Sequence, residues 1–252
     1  MQSTTEIKEL FQAACEDELP ELIKKYTEDE RVSIRKLIAS AEKKLAILEK
    51  ERQRIYRLSE YERRYADYRY LCGIDEVGRG PLAGPVVAGA VILPKDCEIL
   101  YINDSKQLSE KKREELYEII IEKAVACAVG YATPERIDEI NILQATYEAM
   151  REAIAKLSPA PDILLNDAVM IPQISVKQVP IIKGDAKSIS IGAASIIAKV
   201  TRDRLMVEYD KIFPEYGFAA NKGYGSAAHI DALKKYGPTP IHRRSFIKNF
   251  CC

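Results

Sequence analysis

The first 72 residues carry a helical pattern of apolar and polar positions. Apolar side chains recur every three or four residues, with Glu and Lys on the opposite face: Ile34, Leu37, Ile38, Ala41, Leu45 and Leu48. This stretch contains one proline, Pro20, and no glycine, so nothing interrupts a helix from residue 21 to residue 72. The pattern predicts helices near residues 5–15 and 20–26, and a long helix from about residue 29 toward residue 61.

From residue 70 the pattern changes to alternating strands and helices. The segments YLCGIDEV and VVAGAVIL predict two strands, and the short glycine- and proline-rich loop between them favours an antiparallel pair. Three further strands are predicted at VACAVGYAT, DILLND and ISVKQVPIIKG. Helices are predicted at SEKKREELYEIIIEKA, with Ser109 as its N-cap, and at residues 133–157, 188–213 and 227–236.

The order of these elements predicts the fold class. Three strands in a meander, followed by alternating strands and helices, are typical of an α/β domain with a mixed sheet and helices on both faces. We therefore expect an all-helical N-terminal extension over residues 1–68 and an α/β domain over residues 69–252. The junction segment YRLSEYERRYADYRY has two interpretations, a face that touches nucleic acid and a face that packs on the α/β domain. We favour packing.

Composition narrows the class of protein. Of the 252 residues 47% are hydrophobic and 30% charged, and no apolar run approaches the ~20 residues of a membrane span. The N-terminus MQSTTEIKEL lacks the basic start and apolar stretch of a secretory signal, so we expect a cytoplasmic protein. The six cysteines form no CxxC pair and match no histidine spacing, which argues against a disulfide framework or a zinc site. We expect reduced thiols.

Charge is balanced overall but not along the chain. The net charge is zero, with 38 basic and 38 acidic residues, which by itself argues against a nucleic-acid partner. Residues 71–180 hold 11 basic and 17 acidic side chains, whereas residues 181–252 hold 12 basic and 6 acidic side chains. This polarity favours either an acidic, metal-attracting pocket beside a basic, phosphate-contacting surface, or two parts of one domain that simply attract each other.

Four acidic residues lie where a carboxylate is costly. Asp75 and Glu76 end the first predicted strand, Asp167 ends the strand DILLND, and Asp185 precedes a helix in KGDAKS. Functional groups in open α/β sheets gather at strand ends, and converging carboxylates repel one another unless a cation neutralises them. Mg²⁺ prefers such oxygen ligands, so the pattern predicts a magnesium-type site. The alternative is that each acid is a helix cap or a surface charge.

The loop GRGPLAGP after the first strand adds donors for an anion. Gly78 and Gly80 lack side chains on either side of Arg79, which lets backbone amides approach a ligand closely. The guanidinium of Arg79 supplies a planar fork of donors for a phosphate. The loop is not a Walker sequence, because it lacks the Gly-Lys-Ser/Thr ending. The alternative is a tight turn that needs glycines for its geometry alone.

These residues together resemble ribonuclease HII, a type 2 ribonuclease H. The resemblance runs from about residue 69 to residue 246 through five segments: GIDEVGRGPLAGPVVAGAVIL, DSKQLSEKKREELYEII, KGDAKSISIGAASIIAKVTRDR, FAANKGYGS and YGPTPIHRRSF. It implies a ribonuclease H-like catalytic domain over residues 69–252 that includes a C-terminal helical substrate-binding segment. It also implies an endoribonuclease that uses two Mn²⁺ or Mg²⁺ ions. The implied substrates are RNA/DNA hybrids and duplex DNA with a single ribonucleotide, incised on its 5′ side to leave a 3′-hydroxyl and a 5′-phosphate. The implied roles are ribonucleotide removal and RNA primer processing.

The resemblance also implies roles for individual residues. It implies that the metal ligands are Asp75, Glu76, Asp167 and Asp185. It implies that Gly78, Arg79 and Gly80 contact the ribose 2′-hydroxyl and the phosphate at the RNA-to-DNA junction. It implies that Tyr224 packs on the following deoxyribose and that Ser105, Lys106 and Lys187 contact phosphates. His229 and His242 receive no role. We expect a monomer with no membrane partner.

Two alternatives to this interpretation remain. One is a ribonuclease HIII-like hybrid nuclease, although that enzyme carries a strand-rich N-terminal domain and lacks the arginine of GRG. The other is a non-catalytic nucleic-acid-binding module, in which the basic C-terminal third binds the duplex. The helical N-terminus and Arg79 argue against the first, and the presence of all four acids argues against the second.

Overall fold

The structure is a computed structural model that describes residues 2–250. The chain divides into two compact units, Met1–Tyr56 and Arg57–Cys252. The N-terminal helices are α1 (Thr4–Ala13), α2 (Leu19–Tyr26), α3 (Val32–Leu58) and α4 (Glu60–Arg64). The predicted helical N-terminal region is confirmed, whereas the predicted domain boundary between residues 68 and 69 stays a prediction.

The first unit has a small core of its own. Ile7, Tyr26 and Ile34 are its buried members, so the predicted apolar face of α3 supplies part of this core. Ser3 and Glu6 close the N-terminus of α1 with a capping box, in which each side chain accepts a hydrogen bond from the backbone amide of the other.

The second unit contains a five-stranded sheet in the order β3-β2-β1-β4-β5. Its strands are β1 (Leu71–Val77), β2 (Val86–Ile92), β3 (Ala126–Ala132), β4 (Ile163–Asp167) and β5 (Lys177–Ile181). The pairs β1–β2 and β2–β3 are antiparallel, whereas β4 runs parallel to both β1 and β5. The predicted mixed sheet is therefore confirmed.

The helices of this unit follow the predicted order. They are α5 (Glu110–Lys123), α6 (Pro134–Ala155), α7 (Ile189–Ile212), α8 (Phe218–Asn221), α9 (Ala227–Tyr236) and α10 (Arg244–Ile247). Ser109 caps α5 as predicted, because its hydroxyl accepts a hydrogen bond from the amide of Lys112. The short helices α8 and α10 were not predicted, since four residues are too few to show a helical period, whereas α4 falls within the predicted helical extension.

Helices cover both faces of the sheet. On one face, Cys72 and Ile74 of β1 pack in a core shared with α6. On the other face, α7 lies directly on β1 and β2. A Cβ atom at Gly73 of β1 would be 2.1 Å from the carbonyl carbon of Ser190, and one at Gly89 of β2 would be 2.4 Å from the carbonyl oxygen of Ala194. Successive side chains of a strand point to opposite faces, so Asp75 lies on the α7 side with Gly73.

Helix α6 is interrupted near its start, which the sequence pattern did not indicate. Asn141 has backbone angles of φ 69° and ψ 163°, outside the helical region. Its side-chain oxygen accepts hydrogen bonds from the amides of Leu143 and Gln144, at 3.0 and 3.1 Å. Asn141 therefore acts as an N-cap inside the predicted helix and starts a second helical segment.

Between residues 2 and 250, none of the helices combines the length and apolarity that a bilayer crossing requires. The four described cysteines, Cys15, Cys72, Cys97 and Cys127, are free thiols, and the other two lie outside the described residues.

Candidate active site

The four predicted acids occupy one edge of the sheet. Asp75 lies near the end of β1 and is 6% exposed, with Glu76 next to it. Asp167 is the last residue of β4, the parallel neighbour of β1. Asp185 lies in a 3₁₀ turn that leads into α7. Because β1 and β4 are parallel, their carboxyl ends meet at the same edge, as expected for a functional site in an α/β sheet.

Burial and the neighbouring acids raise the pKa of Asp75. Burial is the main cause, and the charges of Glu76 and Asp167 add to it, while a hydrogen bond with Ser195 of α7 opposes them. The pKa of Glu76 is also raised by burial, although the guanidinium of Arg79 opposes the shift. The charge of Asp167 raises the pKa of Glu76 as well. These three carboxylates therefore share one electrostatic environment that disfavours their combined charge.

The fourth acid joins this environment through Asp167. The pKa of Asp185 is raised by burial and by the charges of Asp104 and Asp167. The backbone amide of Gly184 donates to Oδ1 of Asp167 at 2.7 Å, which holds the turn beside the end of β4. Asp104 was not singled out from the sequence, although it immediately precedes two predicted site residues. The four predicted carboxylates thus act on one another in the folded chain.

The donor set suits a hard divalent cation. Within residues 2–250, no cluster of three or more Asp, Glu, His or Cys side chains is close enough to hold a metal ion by itself. Buried carboxylates that repel one another nevertheless gain from a cation, and Mg²⁺ typically uses one or two carboxylates together with waters and substrate phosphate oxygens. The residues therefore fit a divalent ion whose coordination a bound substrate would complete.

The predicted phosphate contacts have different surroundings. Ser105 is 2% exposed, and its hydroxyl lies 2.9 Å from that of Ser195. Ser105 therefore supports Ser195, which forms a hydrogen bond with Asp75. Lys106 is exposed, and its pKa is raised because the negative charges of Asp75 and other site acids outweigh the effect of burial, which would lower it. Lys187 is also exposed and directly follows the turn of Asp185. The structure therefore ties Lys106 electrostatically to the acids and places Lys187 next to the turn of Asp185.

The GRG loop (GRGPLAGP, residues 78–85) directly follows β1 and lies beside the acids. Gly78 has φ 89°, and a Cβ atom there would lie 2.3 Å from Nε of Arg202, so this position requires glycine. Gly80 faces open space, and its nearest neighbour is Cε1 of Tyr224, 3.9 Å from a Cβ placed on it. Arg79 lies 3.3 Å from Glu76 between their charged atoms. The structure therefore brings the loop, Tyr224 and the acids together.

Two buried arginines hold this loop, and neither was singled out as a site residue from the sequence. Arg243 is 0% exposed and donates to the carbonyl oxygens of Gly78, Arg79 and Gly84, at 2.5, 2.9 and 2.9 Å. Burial and the charge of Arg202 lower the pKa of Arg243.

Arg202 of α7 is also 0% exposed and binds the far end of the loop. It donates to the carbonyl oxygens of Ala83, Pro85 and Lys222, at 3.1, 2.9 and 2.8 Å. The sequence contained a signal, since Arg202 lies on the buried face of its helix with Ala198 and Met206.

The two histidines form a buried hydrogen-bonded pair behind Tyr224. The amide of Thr239 donates to Nδ1 of His242 at 3.0 Å, so the ring proton of His242 lies on Nε2. That nitrogen is 3.0 Å from Nε2 of His229, whose Nδ1 donates to the carbonyl of Tyr224 at 2.8 Å. Both rings are therefore neutral, and they position the backbone of Tyr224, whose side chain is 45% exposed. The sequence indicated no role for either histidine.

The site has two halves with different binding preferences. One half holds carboxylates that favour a divalent cation, and the other half presents arginine, lysine and backbone donors around an exposed tyrosine. Such a pairing suits a phosphodiester, because cations and donors stabilise the oxygens of the phosphate while an aromatic ring packs on a sugar or base.

Comparison with known proteins agrees with this chemistry. The ribonuclease HII family model matches residues 72–249, and the ribonuclease HII N-terminal domain model matches residues 3–66. Ribonuclease HII of Lachnoclostridium phytofermentans is 70% identical over 225 residues, which is 89% of each chain. That of Clostridioides difficile is 52% identical over 249 residues, 98% of each chain. The crystal structure of ribonuclease H2 from Pyrococcus horikoshii is 30% identical and covers 72% of this chain and 96% of its own, with a TM-score of 0.61.

Proposed function

This chain belongs to the ribonuclease HII family, a family of ribonuclease H hydrolases that act on RNA/DNA, and from that premise we propose its finer specificity. It incises duplex DNA on the 5′ side of a single ribonucleotide, in addition to cutting the RNA strand of hybrids. The products are a 3′-hydroxyl and a 5′-phosphate, which suits ribonucleotide removal and RNA primer processing. The expected monomeric state and cytoplasmic location stay predictions.

The carboxylates are the proposed holders of two Mn²⁺ or Mg²⁺ ions: Asp75, Glu76, Asp167 and Asp185. When bound, such a pair of ions stabilises the attacking and leaving oxygens of a phosphodiester. The protein contributes the placement of the acids on adjoining strand ends and the Gly184 amide that orients Asp167. Lys106 and Lys187 bind neighbouring phosphates, while Ser105 supports Ser195 beneath Asp75.

The GRG loop is the proposed reader of the ribonucleotide. A protein distinguishes RNA from DNA through the 2′-hydroxyl, and a backbone without side chains can approach that group closely. Gly80 provides the open approach, Arg79 provides donors, and Tyr224 packs on the next deoxyribose. Because Arg243 and Arg202 fix the loop carbonyls, the loop has its shape before substrate binds.

One observation carries the proposal. The acids that repel one another lie directly against the loop, since Arg79 of the loop contacts Glu76 of the acid cluster at 3.3 Å. A nucleotide whose 2′-hydroxyl is held by the loop therefore places its phosphate among the acids. Recognition and hydrolysis would act on the same nucleotide, as incision at a single ribonucleotide requires.

The test uses two labelled substrates, a DNA duplex with one ribonucleotide and an RNA/DNA hybrid of the same sequence. Each is incubated with the protein and Mg²⁺ or Mn²⁺, and the product ends are mapped on a denaturing gel. We expect a nick on the 5′ side of the ribonucleotide and cleavage throughout the hybrid. Cleavage of the hybrid alone would contradict the specificity, and two intact substrates would contradict the catalytic proposal.

Arg79→Ala tests the assignment to the loop with the same substrates. We expect it to slow nicking at the single ribonucleotide by about 10-fold or more, since a lost charged hydrogen bond costs roughly 1.5–3 kcal/mol. Binding of an all-DNA duplex should change less, because that binding does not use the 2′-hydroxyl. Equal losses in both measurements would contradict a role in recognition.

A further inference from the structure

Helix α7 begins directly after the turn of Asp185, and a second segment of the chain caps its first turn. Ser188 is the N-cap, and its hydroxyl accepts a hydrogen bond from the amide of Ile191 at 3.2 Å. The amide of Ser190 instead donates to Oε1 of Glu62 at 3.0 Å. The same carboxylate oxygen accepts a hydrogen bond from the hydroxyl of Ser188 at 2.5 Å. Glu62 thus satisfies a donor that the helix itself leaves open.

Glu62 occupies this place at an energetic cost. Its Oε2 is buried and has no hydrogen-bond partner among the described residues. Burial raises the pKa of Glu62, and the hydrogen bonds from Ser188 and Ser190 offset the shift only in part. An acidic side chain is favourable at a helix N-terminus, yet an exposed one would provide that benefit without the burial. The buried position needs another reason.

The packing around α4 fixes Glu62 in position. Tyr61 and Tyr65, on either side of it, pack against the buried cluster of Leu165, Ile181 and Ile191. The ammonium of Lys177, at the start of β5, lies 5.2 Å from the ring centre of Tyr65 and donates to the hydroxyl of Tyr68 at 3.0 Å. The segment therefore binds the sheet edge and the N-terminus of α7 together.

The contacts continue from Glu62 to the acids of the site. The amide of Ser188, whose hydroxyl binds Glu62, donates to the carbonyl of Gly184 at 2.8 Å. The amide of Gly184 donates to Asp167 at 2.7 Å. Asp185 lies within this hydrogen-bonded turn. A shift of the Glu62 carboxylate would therefore move the turn on which two of the four acids depend.

We propose that Glu62 is a positioning residue for the carboxylate site, acting through Ser188 and the turn that carries Asp185. The inference rests on the proposed metal-dependent cleavage, and it assigns to the segment just before the sheet a part in holding the acids. Partners that orient metal ligands without touching the metal typically change metal affinity or activity by 10- to 100-fold when they are removed.

The experiment compares Glu62→Ala with Glu60→Ala in the full-length protein. Glu60 lies on the same short helix but is exposed and pairs with Arg64, which makes it a matched control. Three quantities are measured: Mn²⁺ binding by calorimetry without nucleic acid, amide hydrogen exchange of residues 184–191, and kcat and KM on the hybrid. Glu62→Gln, which keeps an acceptor oxygen, serves as the conservative variant.

For Glu62→Ala we expect Mn²⁺ affinity and kcat to fall by about 10-fold, exchange over residues 184–191 to accelerate, and KM to stay near the wild-type value. Glu62→Gln should restore most of each property, and Glu60→Ala should change none of them. A destabilised Glu62→Ala protein with wild-type Mn²⁺ affinity and kcat would overturn the inference.

Glu62→Asp keeps the test decisive if the alanine variant does not fold. It retains the charge but is one methylene too short to keep both hydrogen bonds, so it should lose Mn²⁺ affinity as well; wild-type affinity in a folded Glu62→Asp protein would overturn the inference. If the wild-type protein cuts no hybrid, the proposed function fails, while Mn²⁺ binding and hydrogen exchange still decide the role of Glu62.

Discussion

At the residue scale, the site contains buried charged side chains whose positions lower the stability of the fold. Asp75 is a buried carboxylate beside two other acids, and Arg243 is a buried guanidinium whose three contacts in the GRG region are carbonyl oxygens. Neither arrangement is what folding alone would favour, because a buried charge costs several kcal/mol unless it is paired. Such residues concentrate where a protein binds charged ligands.

Asp75→Asn tests the acid cluster. The substitution removes a charge while keeping the shape of the side chain, so we expect cleavage to fall to background while duplex binding persists. The free energy of unfolding should stay equal or rise, because Glu76 and Asp167 lose a repelling neighbour. Urea unfolding and the gel assay measure the two effects. Asp96→Asn, at an exposed turn residue with φ 57°, is the control and should behave as wild type. Nicking near the wild-type rate would refute the assignment.

The hydrogen-bonded histidine pair predicts that the stability of the protein depends on pH. Burial, followed by the charges of His229 and Arg244, lowers the pKa of His242 from 6.5 to about 4. Below pH 6.5 the unfolded chain therefore binds more protons than the folded chain, so the free energy of unfolding falls as the pH drops toward 4. We expect the contribution of His242 to the free energy of unfolding to be complete above pH 6.5 and to fall by roughly 2 kcal/mol by about pH 5.

Urea unfolding between pH 7.5 and pH 5 measures this loss. His242→Gln should be less stable at pH 7.5 but should depend less on pH, because it has no ring to protonate. Asp75, Glu76 and Asp185 have raised pKa values and shift stability in the opposite direction over this range, so the comparison with the variant isolates the histidine. If the free energy of unfolding of His242→Gln depends on pH as strongly as that of the wild type, the histidine pair does not cause the loss of stability in acid.

At the scale of elements, glycines decide how closely α7 approaches the sheet. Gly73→Ala would place a methyl group 2.1 Å from the backbone of Ser190, and helix backbone cannot give way as a flexible side chain can. We expect a loss on the order of 3 kcal/mol in the free energy of unfolding. Gly80→Ala, with nothing nearer than 3.9 Å, should leave stability unchanged while slowing nicking at a ribonucleotide. Thermal unfolding separates the two, and equal stabilities would be inconsistent with the close contact.

The shape of the GRG loop depends on Arg243, the residue before α10, as well as on the glycines of the loop. Arg243→Lys replaces a planar fork with one ammonium, which cannot reach three carbonyl oxygens, so we expect the free energy of unfolding to fall by about 3 kcal/mol. Nicking at a single ribonucleotide should fall more than hybrid binding. The adjacent exposed Arg244→Lys is the control, and similar behaviour of the two variants would argue against a supporting role for Arg243.

At the scale of the whole molecule, the boundary between the extension and the catalytic domain can be tested by truncation. The compact second unit begins at Arg57, and Tyr61 and Tyr65 pack on its sheet, whereas the sequence predicts a boundary after residue 68. We expect a fragment of residues 57–252 to unfold cooperatively, and a fragment of residues 69–252 to be less stable by at least about 3 kcal/mol, since it exposes the apolar surface beneath two tyrosines. Fragments of equal stability would support the boundary at residue 68.

Much of the fold follows from the sequence pattern, because strands and helices are local. The period of apolar residues predicted all five strands and the long helices, and the glycine-rich loop marked the turn after β1. The pattern missed the interruption at Asn141, since one left-handed residue leaves the helical period of its neighbours intact. It also placed the four acids at element ends; Asp167 does end β4, whereas Asp75 and Glu76 lie just inside the end of β1.

The sequence by itself determined the order of elements, the identity of the acids and the glycine spacing, because these depend on neighbours along the chain. Only the tertiary structure decided that β4 pairs with β1, which brings Asp167 to Asp75, and that Arg243 binds Gly78 from 165 residues away. The same holds for Glu62 and Ser188, which are 126 residues apart. A charged residue leaves the same mark in a sequence whether water or a distant backbone surrounds it, so its burial and its partners emerge only when the chain folds.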